Sequence, residues 1–85
     1  MYQLEISTGA QRQIRSLPRD LQQKVLLAIR ELATDPRPHG VLKLSGMEGY
    51  RIRVEDYRIL YLIDDASQRV EIYRVMGREN VYRVR

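Results

Sequence analysis

Tyr2, Leu4 and Ile6 alternate with Gln3, Glu5 and Ser7. A period of two predicts a half-buried strand at the start of the chain. Thr8-Gly9-Ala10-Gln11 follows and reads as a capping box, with Thr8 as the cap and Gln11 reaching back. The period then changes. Ala10, Ile14 and Leu17 fall on one face of a short helix, which Pro18 interrupts. Proline suits the first turn of a second helix, and Asp20 complements that helix's N-terminal dipole. Leu21, Val25, Ala28, Ile29 and Leu32 continue at helical spacing. Pro36 biases Asp35 away from the helix, so the second helix is expected to end near Thr34. Asp35 to Gly40 is a loop.

From Val41 the pattern becomes strand-like. Val41 to Leu44 forms a short lead-in strand before the turn Ser45 to Gly49. Tyr50 to Val54, Tyr57 to Asp64 and Arg69 to Met76 are three further strands, joined at Glu55-Asp56 and through Asp65 to Gln68. The expected fold class is α+β, in the order β-α-α-β-β-β. A mainly antiparallel sheet would carry a helical hairpin packed on one face. The long helical crossover allows the first strand to pair in either direction, and that pairing stays open. The tail from Gly77 to Arg85 shows no clear period.

A two-residue connection at Glu55-Asp56 sets Val54 opposite Tyr57 and Arg53 opposite Arg58. By parity, Tyr50, Ile52, Val54, Tyr57, Ile59 and Tyr61 then share the face turned to the helices. Arg51, Arg53 and Arg58 share the open face with Leu60 and Leu62. If the alternation runs on unbroken, Tyr73 and Val75 join that open face and Arg74 falls among the buried residues. A bulge would resolve that misplaced arginine.

Composition bears on what such a face does. The 85 residues make one domain, 1–85. There is no Cys and one His, His39. Disulfides, thiol nucleophiles and Cys- or His-cluster metal sites are therefore excluded, and no metal or other cofactor is expected. No secretory leader or bilayer-spanning run stands out, so the expected compartment is the cytoplasm, with no membrane partner. Lys and Arg together number 15 against 11 Asp and Glu, a net charge of +4. Only Lys24 and Lys43 are lysines. Arginine is the residue of planar, bidentate phosphate recognition, so a nucleic acid or an acidic protein is the expected partner.

Arg53 opposite Arg58 is unfavourable in a sheet with nothing bound. A nearby carboxylate from Glu55, Asp56 or Glu71 would neutralise the pair. Left unneutralised, three guanidiniums on one face form an anion platform. Arg78 leaves the last strand beside it, and Tyr82 is placed either to stack on a base or to anchor the tail. Leu60, Leu62, Tyr73 and Val75 would leave an apolar patch among the arginines, either a surface that binds a partner protein or one that the chain's own tail covers. On the helices, Arg12, Arg15, Arg19 and Lys24, with Lys43 on the lead-in strand, offer a second basic surface for RNA.

Leu42-Lys43-Leu44-Ser45-Gly46, Gly49-Tyr50-Arg51-Ile52-Arg53-Val54 and Asp56-Tyr57-Arg58-Ile59-Leu60-Tyr61, with the ending Arg78 to Tyr82, resemble the RelE/ParE superfamily of bacterial toxins. The element order matches over essentially the whole chain. The resemblance implies a microbial-ribonuclease-like fold and a toxin neutralised by a cognate RelB-like antitoxin, which the patch of Leu60, Leu62, Tyr73 and Val75 would suit. DNA is implied only indirectly, through the repressor complex that toxin and antitoxin form. The RelE branch consists of ribosome-dependent endoribonucleases that cut messenger RNA in the ribosomal A site; the ParE branch poisons DNA gyrase. Basic residues of the RelE branch are matched here by Arg51, Arg53, Arg58 and Arg78, and its tyrosine by Tyr82. Well-known members carry lysines at the positions of Arg51 and Arg53, and many relatives have His or another basic residue at Gly77.

The reaction so implied needs no metal: the ribose 2′-OH attacks its own 3′-phosphate, leaving a 2′,3′-cyclic phosphate and a 5′-OH. Arg51, Arg53 and Arg58 would hold the phosphate, Arg78 would serve the leaving oxygen, and Tyr82 would orient the nucleotide. The general base stays open among Glu55, Glu71 and Glu79, because arginine does not give up its proton near neutrality. A gyrase inhibitor on the same fold, or a non-catalytic RNA- or antitoxin-binding module, are the competing expectations.

Overall fold

A computed structural model describes residues 1–77. Five strands form one sheet in the order β1-β5-β4-β3-β2, with β1 at Gln3–Ile6, β2 at Leu42–Lys43, β3 at Tyr50–Val54, β4 at Tyr57–Asp64 and β5 at Arg69–Gly77. Helices α1 (Thr8–Arg15) and α2 (Arg19–Glu31) lie between β1 and β2 in sequence and pack on β5 and β3 respectively. The pairing left open from the sequence is parallel: β1 runs alongside β5, with Leu4 beside Val70 and Ile6 beside Ile72. The two helices supply the long crossover that parallel neighbours require. All other neighbours are antiparallel.

Local chemistry explains most element ends, with two corrections to the sequence reading. The cap of α1 is Ser7, one residue before Thr8: its Oγ accepts from the Ala10 amide at 3.1 Å. Gln11 reaches back to the Ile6 carbonyl at 2.8 Å, so it ties the helix to the strand before it and closes no capping box. Pro18 is the N-cap of α2, and the regular helix stops at Glu31, earlier than Thr34. Leu32, Ala33 and Thr34 continue with amides bonded three residues back, so a tighter turn fills the difference.

The core lies between the helices and one face of the sheet. Ile52, Ile59 and Tyr61 of the central hairpin, with Val70, Ile72 and Val75 of β5, meet Ala10, Ile14, Leu17, Val25, Ile29 and Leu32. Tyr61 is fully buried, and its hydroxyl donates to the Pro36 carbonyl at 2.8 Å. Burial pushes that hydroxyl's pKa well above its ordinary value, so it stays a donor. The bond fixes the 35–40 loop against the sheet. Gly49 enters β3 with φ at +122°, and a Cβ there would stand 3.0 Å from the Tyr61 carbonyl oxygen. Both facts require glycine.

The same loop is held from outside. Arg37 donates to both carboxylate oxygens of Asp65, at 2.9 and 3.3 Å, and Tyr2 donates to Asp65 at 2.6 Å. The Arg37 guanidinium also lies 5.2 Å from the Tyr50 ring centroid. The hydrogen bonds from Arg37 and then Tyr2 hold the Asp65 carboxyl below the usual carboxylate range. An unfolded aspartate titrates near ~3.9. A depressed folded value contributes stability above that pH, and the contribution fades as pH falls through the folded pKa. Asp65→Asn is therefore expected to flatten the acid limb of a Tm-against-pH curve below about pH 4.

Candidate functional site

The β3–β4 hairpin turns at Glu55 and Asp56, with Glu55 at φ +55°. Val54 pairs with Tyr57 and Arg53 with Arg58, the register expected from the sequence. Tyr50, Ile52, Val54, Tyr57, Ile59 and Tyr61 accordingly face the helices. Arg51, Arg53 and Arg58 stand on the open face with Leu60 and Leu62, all at least partly exposed.

The third strand corrects the expected pattern. Leu60 pairs with Arg74 but Tyr61 pairs with Ile72, so Tyr73 is the extra residue of a bulge. The bulge shifts the alternation by one position. Val75 is then buried, 3% exposed, and packs against the helices; it is not part of an open-face patch. Arg74 is exposed on the open face, and Tyr73 and Arg74 together fill the stretch between buried Ile72 and Val75. Arg74 is thus a fourth arginine of the platform. A buried arginine with no partner was the one feature that unbroken alternation left without a physical account, and it was the signal that marked this residue.

The four cations form a compact group. Arg53 and Arg58 are direct cross-strand partners, and Arg51 and Arg74 flank Leu60 on its two sides. Partners on adjacent strands lie about 5 Å apart and residues two apart on one strand about 6–7 Å, so the four Cα atoms fall within roughly 12 Å. Among the described residues none of the four is paired with a carboxylate. Glu55 is bound to Lys24 on the helix side and Arg69 to Glu5 beyond the platform. Glu71 pairs across to Leu62, one row away from Leu60 and Arg74.

Close by, Gly77 pairs with Tyr57, and a Cβ at Gly77 would sit 3.0 Å from the tyrosine ring. The Tyr57 ring fills the space beside Gly77, so a side chain there would have to displace it. Arg78, Tyr82 and Glu79 lie outside the described residues. His39, remote in sequence, lines a cavity of about 300 Å³ with Glu31, Ile52 and Arg53 at the edge of β3 that β2 does not cover.

The second basic surface is separate. Arg12 and Arg15 are exposed on the last turn of α1, and Arg19 opens α2. Lys24 is committed to Glu55, which raises its pKa chiefly through their hydrogen bond. Lys43 is exposed on β2, the sheet's far edge from β1. The sheet lies between the helices that carry Arg12, Arg15 and Arg19 and the open-face arginines.

Comparison with known proteins gives consistent matches. The family described as ParE toxin of type II toxin–antitoxin system, parDE, matches residues 4–82. Toxin RelE of Mycobacterium tuberculosis is 34% identical over 89 aligned positions, covering 98% of this chain and 88% of the relative. The archaeal RelE–RelB complex from Pyrococcus horikoshii contains a chain that superposes with a TM-score of 0.82 at 26% identity, covering 91% of this chain and 94% of the other. A chain of the toxin–antitoxin complex RelBE2 from M. tuberculosis gives 0.79 at 29% identity, covering 91% and 98%.

Proposed function

The chain belongs to the RelE/ParE superfamily of type II toxins, and on that premise we propose that it is a ribosome-dependent endoribonuclease that cuts messenger RNA in the ribosomal A site. The observation that carries this reading is the open-face group of Arg51, Arg53, Arg58 and Arg74, free of carboxylate partners among the described residues. Like charges opposed in a sheet cost stability in the free protein. A bound phosphate turns that cost into attraction.

In the proposed reaction the 2′-OH oxygen bonds to the adjacent phosphorus and the bond from phosphorus to the 5′-oxygen breaks. The products are a 2′,3′-cyclic phosphate and a 5′-OH. The substrate supplies its own nucleophile, so the reaction calls for no metal. Negative charge grows on the phosphoryl oxygens, where fixed guanidiniums stabilise it most. Arg78 and Tyr82 are proposed, from the resemblance, to serve the leaving oxygen and to orient the nucleotide. Arginine holds its proton throughout the physiological range, and Glu55 is paired with Lys24. Glu71 and Glu79 stay as candidate bases for the 2′-OH proton, and the departing 5′-oxygen takes up a proton; the arginines contribute charge and positioning, with the ribosome fixing the RNA geometry.

A RelB-like antitoxin is the proposed neutralising partner, as in the complexes named above, and DNA is met only through the toxin–antitoxin repressor. The proposed compartment is the cytoplasm; among the described residues no helix is long and apolar enough to cross a membrane. The family match to ParE favours a second reading, inhibition of DNA gyrase. Adding the purified protein to a bacterial translation extract and mapping message 5′ ends by primer extension separates the two. Cuts within translated codons, absent without ribosomes, are expected. Intact messages with normal translation, together with loss of gyrase supercoiling, would replace the first reading with the second.

A further inference from the structure

The open face is charged unevenly along the strand direction. Arg51, Arg53, Arg58 and Arg74 occupy one half. In the other half Leu62 pairs with Glu71 and Asp64 with Arg69, and β1 adds Glu5 next to Glu71. There Glu5, Glu48, Asp64 and Glu71 line a depression of about 480 Å³. Arg69 is already bound to Glu5, so the depression is left with a net negative charge. Leu60 and Leu62 lie between the halves.

We propose that this face binds a second copy of the chain, forming a two-fold dimer in which each arginine platform lies on the partner's acidic half. Charge layout selects the geometry. Two sheets stacked about an axis along the strands would set arginine on arginine. An axis across the strands, passing at Tyr61, reverses the strand direction and sets each half on its opposite. That operation exchanges the Leu60 row with the Leu62 row and keeps each strand over its own copy. Arg74 then stands over Glu71, Arg58 over Asp64 and Leu60 over Leu62, and each contact occurs twice. One register satisfies all three pairings because the bulge at Tyr73 places Arg74 level with Leu60.

The available area suits a weak dimer. Strands about 4.8 Å apart and up to about 26–30 Å long give a face near 500 Å² per copy, or about 1,000 Å² in all. That is the low end of specific interfaces, with a micromolar dissociation constant expected. Dimerisation requires nothing of the platform's chemistry. Its consequence, if the platform binds RNA, is a free toxin that covers its own site until polyanion or antitoxin displaces the partner.

Sedimentation velocity of the full chain, without antitoxin, tests the dimer from about 1 to about 100 µM, the range set by an interface of this size. A monomer–dimer equilibrium is expected. Salt raised from about 0.1 to about 1 M shortens the screening length from about 10 to about 3 Å and is expected to weaken it about tenfold or more. Arg58→Glu and Asp64→Arg are each expected to weaken self-association about 100-fold, since each repulsion is made twice. An equimolar mixture of the two restores the dimer, because every contact again pairs opposite charges. Arg74→Glu mixed with Glu71→Arg repeats the test at an independent position, with circular dichroism confirming that each variant is folded. A monomer at every concentration overturns the proposal, and so does a dimer indifferent to the reversals. Loss without restoration in both mixtures also overturns it.

Discussion

Arg58→Ala lowers ribosome-dependent message cleavage by about 100- to 1,000-fold, the usual loss when one preorganised donor to a developing oxyanion is removed. Arg58 has Arg53 directly opposite and Leu60 two residues on, at the centre of the platform. The same change relieves the Arg53–Arg58 repulsion, so Tm is expected to hold or to rise slightly, by the equivalent of roughly 0.5 kcal/mol. A residue that merely supported the fold would give the opposite pairing, with stability and activity falling together. Arg58→Lys keeps the charge but loses the bidentate fork, and falls between wild type and alanine. The primer-extension assay reads the rates and thermal unfolding reads Tm. Undiminished cleavage by Arg58→Ala would sink the platform as the reacting site. Undiminished toxicity with no cleavage by either protein would point to gyrase.

Arg58 and Arg74 show where sequence reasoning reached this site and where it stopped. Arg58 was legible because the Glu55-Asp56 connection has only two residues: its length fixes the register, and the period of two then fixes every face on β3 and β4. Val75 was not, and Arg74 showed only as an arginine out of place, because one extra residue at Tyr73 reverses every later assignment and no turn or proline fixes its position. The parallel pairing of β1 was undetermined for a different reason. A crossover of two helices is long enough for either direction, so only packing of Leu4 and Ile6 beside Val70 and Ile72 decides it. That His39 lines one cavity with Arg53 was hidden because the juxtaposition is purely tertiary, made through a loop that Tyr61 and Asp65 hold in place. The acidic half of the open face was equally hidden: Glu5, Glu48, Asp64 and Glu71 come from four separate stretches of chain and meet only in the folded sheet.

Tyr61 is where the fold itself is most vulnerable. Among the described residues it is the largest fully buried side chain, it stacks on Tyr50 at a centroid distance of 6.0 Å, and its hydroxyl is the partner of the Pro36 carbonyl. Tyr61→Ala removes the ring, leaves a cavity and strands a buried carbonyl. Large aromatic truncations in cores cost about 3–5 kcal/mol. A chain of this length has roughly 4–13 kcal/mol in total. Each kcal/mol moves Tm by about 4–8 °C in a domain this small, so a drop of more than about 12 °C is expected. Tyr61→Phe keeps the ring and loses only the hydrogen bond, at about 1–2 kcal/mol. The two variants therefore divide the packing of the hairpin from the anchoring of the 35–40 loop. If Tyr61→Phe lost as much as Tyr61→Ala, the hydroxyl bond and not the ring would be what holds β4 to the loop. If neither moved Tm by more than about 4 °C, the equivalent of about 1 kcal/mol, Tyr61 would not be buried as described. Arg58→Ala and Tyr61→Ala are opposite in sign on Tm although the residues are three apart on one strand. That opposition follows from the sheet having one face made for packing and the other for charge.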